Sequence, residues 1–411
     1  MPLGVGTMFW GNTWLDQFVN PGHLVLSIAQ LAAIVRRAVD SGVTFFDTAE
    51  GYGGGTSEER LREAIDAAEA TAAGAMDTTN SREGSPQPET AIVGAAVTSA
   101  LPDRRRRPLR DQLLVASKFL PTLWRWTQQS LLRACQRTNV RLGLGTCLLY
   151  FIHSPVHPLP LEWWVRACCV AYRLGLIRSL GLSNCDADQV RRAHRVTSRE
   201  GVPLVANQLM FNLLVFRSPA LQRTIDVCRE LGLTVVGYAS VGQGLLCERK
   251  AFPSPFVIDL NSHNIPDVAR DDGSSLSRAE MNNVRLMRMT GATVDEVNRL
   301  RSVVHRVAVK HGCTMQQVAI RWSVQKGVVP LVGMRRVEHL DEALHAVTKV
   351  RLDDADVSEL DAAALGRHTF EKPRWRRSLF VIFISLLMAA YKVSAAVAGR
   401  IHPTQTPSYQ T

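Results

Sequence analysis

Short apolar runs bounded by turn residues alternate with longer amphipathic segments along most of this 411-residue chain, and that rhythm constrains its fold more than any other feature. Val43–Asp47 is β-branched and aromatic with turn residues on both sides, the pattern of a buried strand. Leu113–Ser117, Thr146–His153, Ser179–Ser183, Val205–Asn207, Thr234–Gly237 and Val328–Leu331 are further strand candidates. Between them, Glu162–Gly175, Ala187–Ser198 and Pro219–Leu231 carry apolar residues at three- and four-residue spacing, as helices with one buried face do. Thr314 and Gln317 open the helix Thr314–Lys326 in capping-box spacing, and Thr56 with Glu59 has the same spacing at a helix after the Val43–Asp47 strand. Strand and helix in alternation require parallel strands joined by right-handed crossovers. About eight such units point to a closed (β/α)8 TIM barrel, although the pattern alone is also compatible with an open sheet.

The length suits one barrel, about 250 residues in its plain form, with additions. The barrel is expected over residues 1–366. Ala70–Arg110, rich in Ala, Thr, Ser, Pro and Arg, is expected to be a flexible insertion because it offers too little apolar surface to order itself. Glu248–Gly291, with three prolines and several Asp and Ser, reads as a long loop at the barrel mouth. A basic linker at 367–378, holding Arg374, Arg376 and Arg377, precedes an apolar span at 379–399 and a tail at 400–411. The span just reaches the roughly 20 residues that cross a bilayer, with Lys392 near its end, so a membrane helix is expected there and a packed or amphipathic helix is the alternative.

The net charge of +11 invites a nucleic-acid reading, but much of the excess lies in Arg104–Arg107 and around Arg374, outside the barrel, and no basic stripe is interleaved with aromatics. No nucleic-acid partner is therefore expected. The 8 cysteines show no CxxC pair and no zinc spacing, so they read as buried free thiols in a reducing compartment, and no metal is expected. The chain enters Pro2–Thr7 without a signal peptide. Location is expected to be cytoplasmic, or the cytosolic face of a membrane through 379–399. The abrupt start reads as a clipped N-terminus and leaves organelle targeting open.

Barrels of this kind keep their chemistry at the carboxyl ends of the strands. Asp47 ends one strand and Tyr52 follows across a glycine-rich turn; Lys118 follows Leu113–Ser117; His153 ends Thr146–His153. The set suits carbonyl reduction, in which a developing alkoxide needs a proton donor and nearby positive charge. A phenol has an ordinary pKa of about 10. A neighbouring Lys118 ammonium favours its ionised form, Asp47 holds the Lys, and His153 orients the carbonyl.

The segments around these residues, FFDTAEGYGGGTSEERL, LLVASKF and LLYFIHSP, resemble the signature and tetrad strands of the aldo-keto reductases. The resemblance covers about residues 3–365 and implies an NADPH-dependent enzyme that reduces an aldehyde, ketone or sugar carbonyl to an alcohol. It implies that Tyr52 is the proton donor, Lys118 lowers its pKa, Asp47 supports Lys118 and His153 positions the carbonyl. IRSLGLSNCDADQV and VANQLMFNLL are similar to the segments that bind the nicotinamide carboxamide, which assigns Ser183, Asn184 and Gln208. VVGYASVGQGLL is similar to the segment whose tyrosine stacks on the nicotinamide, here Tyr238, and Thr7 in the GVGTMFWGN opening is placed near the cofactor. VVPLVGMRRVEHLDEAL resembles the phosphate and adenine segment, which implies that Gly333 allows close backbone approach and that Arg335 and Arg336 favour NADPH over NADH. His339 and Ala343 stand where the family often has Gln and Asn in contact with adenine. A cofactor-binding adaptor resembling potassium-channel β-subunits is the alternative reading; no tetrad residue is missing to favour it. Trp10, Trp14, Trp124 and Trp126 are candidate apolar walls for the substrate.

Overall fold

A computed structural model of the protein describes residues 1–11, 25–80, 108–248 and 291–366, with side chains of 72–80 excepted. Eight parallel strands close into a barrel in sequence order: β1 (Gly4–Gly6), β2 (Phe45–Asp47), β3 (Leu114–Phe119), β4 (Leu149–Ile152), β5 (Leu180–Ser183), β6 (Leu204–Met210), β7 (Thr234–Tyr238) and β8 (Val329–Gly333). β1 closes the ring by pairing with β2 on one side and β8 on the other. Around it run α1 (Ile28–Asp40), α2 (Thr56–Asn80), α3 (Leu109–Gln112), α4 (Gln128–Leu142), α5 (Leu161–Arg173), α6 (Ala187–Glu200), α7 (Pro219–Glu230), α8 (Val294–Lys310), α9 (Met315–Gln325), α10 (Val337–Thr348) and α11 (Asp354–Ala363).

The helices form where short polar residues can stop the chain and start a turn. Capping boxes open α1 at Ser27–Gln30, α6 at Asp186–Gln189, α8 at Thr293–Glu296 and α9 at Thr314–Gln317, each satisfying backbone donors that the first turn leaves free. In α5, Leu161, Trp164, Val165, Cys168 and Cys169 recur at three- and four-residue spacing and are all buried against the sheet. The eight cysteines are free and six of them are buried, as the absence of paired spacing suggests. Inside the barrel, Ala116, Leu149, Phe151, Ala206, Val236 and Leu331 form a compact plug. Phe151 lies across Gly181, where an added Cβ would come within 2.3 Å of its ring. Gly181→Ala is therefore expected to lower stability by about 1–3 kcal/mol, the usual cost of overpacking, read as a drop in the thermal midpoint. An unchanged midpoint would show that the plug has slack.

The structure moves several expected boundaries. β3 runs one residue beyond Lys118, so that lysine is held by the sheet rather than by a loop. β6 extends to Met210 and takes in Gln208. Thr56 lies inside α2, which continues directly out of a 3-10 turn at Tyr52–Gly55, so it does not precede the helix as a capping-box residue does. The expected insertion at 70–110 is corrected at both edges, because α2 continues to Asn80 and α3 begins at Leu109; alanine is a strong helix former even where a segment lacks apolar bulk. The central part, 81–107, lies outside the described residues, as do nearly all of the mouth loop 248–291 and the segments 367–378, 379–399 and 400–411. No helix among the described residues is long and apolar enough to cross a membrane.

Candidate active site

The carboxyl ends of six strands bring the sequence-predicted residues to one end of the barrel. Asp47 closes β2, Lys118 is the penultimate residue of β3, His153 follows β4 and Ser183 closes β5. Gln208 stands beside Ser183 in the β5–β6 register, and Tyr238 closes β7. Tyr52 comes from the 3-10 turn after β2, where Gly53 and Gly54 have φ of 56° and 67°. These left-handed values suit glycine and explain the run Gly53-Gly54-Gly55.

Lys118 is the hub. Its fully buried Nζ donates to Asp47 Oδ2 at 2.6 Å, to the Thr48 carbonyl at 2.7 Å and to the Tyr52 hydroxyl at 3.1 Å. Burial pulls the Lys118 pKa down, but Asp47 and Tyr52 outweigh it, so the amine stays charged. Gln208 Nε2 donates to the other Asp47 oxygen at 2.8 Å. Asp47 is thereby fixed on both oxygens, one aimed at the cation and one at an amide. Gln208, expected on the nicotinamide carboxamide, has this second task in the structure.

Burial raises the Tyr52 pKa, and the opposing pull of Lys118 offsets only part of it. Lys118 pulls the Tyr52 pKa down, as expected, but the net direction is upward, because the pattern cannot show how deeply the hydroxyl is buried. Tyr52 is consequently a loaded phenol at neutral pH. His153 meets it edge to face, with ring centroids 5.6 Å apart. Burial, and then the charge of Lys118, depress the His153 pKa to about 3, so the ring is neutral at physiological pH. Its buried Nδ1 has no partner among the described residues.

That depression makes a prediction. Between about pH 6.5 and the folded value, the unfolded chain binds a proton at His153 that the folded protein does not, so acidification favours unfolding. Stability should fall by up to about 1.4 kcal/mol per pH unit from this group. His153→Gln is expected to flatten that part of the stability profile, measured by denaturant titration across the acid range. An identical acid slope in both proteins would contradict the neutral, buried assignment.

A second polar patch joins β5 to β7. Asn184, at φ 57°, donates from Nδ2 to Ser183 Oγ at 3.0 Å and to the His153 carbonyl at 3.3 Å, and its Oδ1 accepts from the Tyr238 hydroxyl at 3.0 Å. A side chain with both a donor and an acceptor end, held in place from three directions, suits recognition of a primary amide. At the end of β8, Gly333 leads to Arg335 and Arg336, and Arg336 precedes α10 with no side-chain cap on the helix. Two guanidinium groups beside uncapped backbone donors fit a phosphate. These residues therefore fit a phosphorylated nicotinamide cofactor: amide-reading groups on one side of the barrel mouth, cations on the other.

Thr7 is fully buried, and its hydroxyl is used on the Asp47 carbonyl at 3.1 Å and on Ser57 at 2.9 Å. It stands behind Asp47 as a support. Of the two readings open for Trp10, a substrate wall or a packing residue, the structure gives the second: it is buried, donates to the Met334 carbonyl at 2.8 Å and packs against Phe46. Trp124 and Trp126 are exposed on the β3–α4 loop, and Trp14 lies outside the described residues. The sequence reading missed the buried Glu50–Arg125 ion pair. Glu50 also accepts from the Leu120 backbone at 2.7 Å, tying the segment that carries Tyr52 to the loop after β3. Its place between Asp47 and Tyr52 is the one signal that could have marked Glu50. Among the described residues no cluster could hold a metal ion.

A family model described as the aldo/keto reductase family matches residues 2–365. A pyridoxal reductase, chloroplastic, of Arabidopsis thaliana is 27% identical over 353 residues, which cover 84% of this chain and 78% of that protein. A probable aldo-keto reductase 1 of Glycine max is 25% identical over 338 residues, covering 81% and 79% respectively. Among solved structures, an aldo/keto reductase from Klebsiella pneumoniae in complex with NADP and acetate matches with a TM-score of 0.56 at 19% identity, covering 91% of this chain and 94% of that one, a likeness of fold.

Proposed function

The chain belongs to the aldo/keto reductase family and is an oxidoreductase, and from that membership we propose that it uses NADPH to reduce an aldehyde or ketone to an alcohol, with Tyr52 as proton donor. The observation that carries this reading is the Lys118 hub, which joins a buried cation, its carboxylate and a protonated phenol at one point of the barrel mouth. NADPH, when bound, supplies the hydride that reduces the carbonyl carbon.

The chain's own residues have separable tasks in this proposal. Tyr52 holds a proton at its hydroxyl and gives it to the carbonyl oxygen as negative charge develops there. Lys118 stabilises the phenolate left behind, at 3.1 Å, and Asp47 keeps Lys118 charged and in place. His153, neutral, offers a donor to the carbonyl oxygen and orients the substrate. Ser183 and Asn184 recognise the carboxamide, Tyr238 supports the nicotinamide ring, and Gln208 divides its role between the amide and Asp47. Gly333, Arg335 and Arg336 hold the phosphate of the cofactor. The intact hub gives no support to a purely adaptor role, which needs no proton donor.

The test follows NADPH oxidation by absorbance over a panel of aromatic and aliphatic aldehydes and ketones. Pyridoxal belongs in the panel because the Arabidopsis relative is named for it. Turnover of at least one carbonyl, dependent on NADPH, is expected. Tight NADPH binding without turnover across the panel would move the reading to an adaptor, and a folded protein that binds no NADPH would overturn the cofactor assignment.

A further inference from the structure

The turn after β8 has more donors than acceptors. The Arg335 backbone N–H points at His339 Nδ1, 3.3 Å away, and the Arg336 guanidinium lies 3.4 Å from His339 Nε2. A neutral imidazole has one lone-pair nitrogen and one N–H. In either tautomer, one of these two contacts sets donor against donor. Among the described residues neither arginine forms an ion pair, and Arg335 lies over the Phe9 ring at 5.7 Å. Among the described residues the two guanidinium groups of this corner have no carboxylate partner, and the acceptor that suits them is an anion.

We propose that His339 is a proton-linked ligand for the 2′-phosphate of NADPH, neutral in the free protein and protonated as the phosphate binds, so that the preference for NADPH over NADH grows as the pH falls. The inference rests on the NADPH reading above and adds to it a residue that the arginines alone do not explain. Protonation makes both ring nitrogens donors and frees the Arg335 N–H for the same acceptor. The groups facing His339 set its resting state. Burial holds its pKa below the ordinary range, Arg336 and Arg335 act in the same direction, and Glu342 and Glu338 act against them. From α9, Gln316 engages the Glu342 carboxylate at 2.6 Å, as does Thr314 just ahead of that helix at 2.9 Å. From α1, Arg37 is occupied by Asp341 of α10 at 2.7 Å. A bound phosphate reverses the local balance: it places negative charge where the arginines alone had opposed protonation. By linkage, the proton that phosphate helps to bind must in turn strengthen phosphate binding.

The sign is fixed by that linkage. Protonated His339 favours the phosphate, so its contribution is present at low pH and lost as pH rises through the value it has in the complex. The phosphate has its own ionisation near pH 6, which acts in the opposite sense and is the same in any variant. The experiment uses the full-length protein and calorimetric titration with NADPH and with NADH, in buffers of different ionisation heat, for the wild type and His339→Gln. Glutamine keeps a donor and an acceptor but cannot titrate. The wild type should take up more protons with NADPH than His339→Gln does, and no more with NADH. Its NADPH-to-NADH affinity ratio should fall about tenfold more than the variant's between about pH 5.5 and 7.5, the effect of a one-unit change in a single pKa. Equal proton uptake and equal slopes in two proteins that both bind NADPH would overturn the role of His339. Failure of both to bind NADPH at any pH would overturn the cofactor reading beneath it.

Discussion

Tyr52→Phe is expected to cut turnover by about a hundredfold to ten-thousandfold while NADPH still binds, the range general acid catalysis contributes. The substitution removes one oxygen and little else. The ring remains to meet His153 edge to face and to lie beside the Lys118 ammonium, whose nitrogen is 4.6 Å from its centroid. Lys118 keeps two of its three partners, Asp47 and the Thr48 carbonyl, so its charge stays compensated. The loss in stability should be within about 1 kcal/mol, the scale of one hydrogen bond. A large fall in kcat with an unchanged NADPH dissociation constant and thermal midpoint isolates the proton donor from the binding site. Turnover within tenfold of the wild type would mean that the proton comes from elsewhere, with His153 the next candidate because its ring adjoins the phenol. The net upward shift of Tyr52 sharpens the point: a phenol that holds its proton throughout the neutral range should give a kcat with no loss of activity on the alkaline side until well above neutrality.

The barrel was legible because its signal is repeated. Each β-strand here is short, and Val43–Asp47 alone could belong to many folds, but the return of the same apolar run after each amphipathic stretch leaves few architectures. β1 escaped the strand candidates since Gly4-Val5-Gly6 has almost no side-chain pattern to read; its place is set by pairing with β2 and β8. The hub was legible in part. Asp47, Tyr52, Lys118 and His153 are side chains at strand ends, where residue type carries information. The Thr48 carbonyl on Lys118 does not depend on residue type, and no sequence pattern reports it. The same limit explains Gln208: its amide chemistry could be anticipated, but its bond to Asp47 depends on how β2 and β6 face each other across the barrel. The net direction of the Tyr52 shift was not legible for a related reason, since desolvation is a property of the packed interior and the charge of Lys118 is a property of one residue. Trp10 shows a further limit. A tryptophan near the site reads as a substrate wall or as a packing residue; its indole N–H has a backbone acceptor in Met334, and that bond draws it into the core.

Lys118→Met is expected to damage the protein twice over, in stability and in turnover, and the two effects can be separated by a second substitution. Methionine roughly matches the length and apolar stem of lysine, so the cavity cost is small. What it leaves behind is Asp47, almost fully buried, with its ammonium partner gone and the Gln208 amide as its remaining side-chain donor. Breaking a buried ion pair from one side costs about 3–5 kcal/mol. Asp47→Asn strands the opposite charge and should cost a comparable amount, because Lys118 is then left with neutral acceptors, the Thr48 carbonyl and the Tyr52 phenol among them, inside the barrel mouth. Asp47→Asn with Lys118→Met removes both charges and should recover most of the lost stability, giving a large coupling energy in the double-mutant cycle. Activity should not follow. Without the ammonium, the phenolate that forms at Tyr52 has no adjacent cation in a site where burial already disfavours it, so the double variant should remain at least a hundredfold below the wild type. Recovery of turnover together with stability would make Lys118 a structural partner of Asp47 and nothing more. Persistent inactivity in a folded, NADPH-binding double variant would show that Lys118 serves the proton transfer itself, since the uncompensated charge that its loss leaves on Asp47 has been removed.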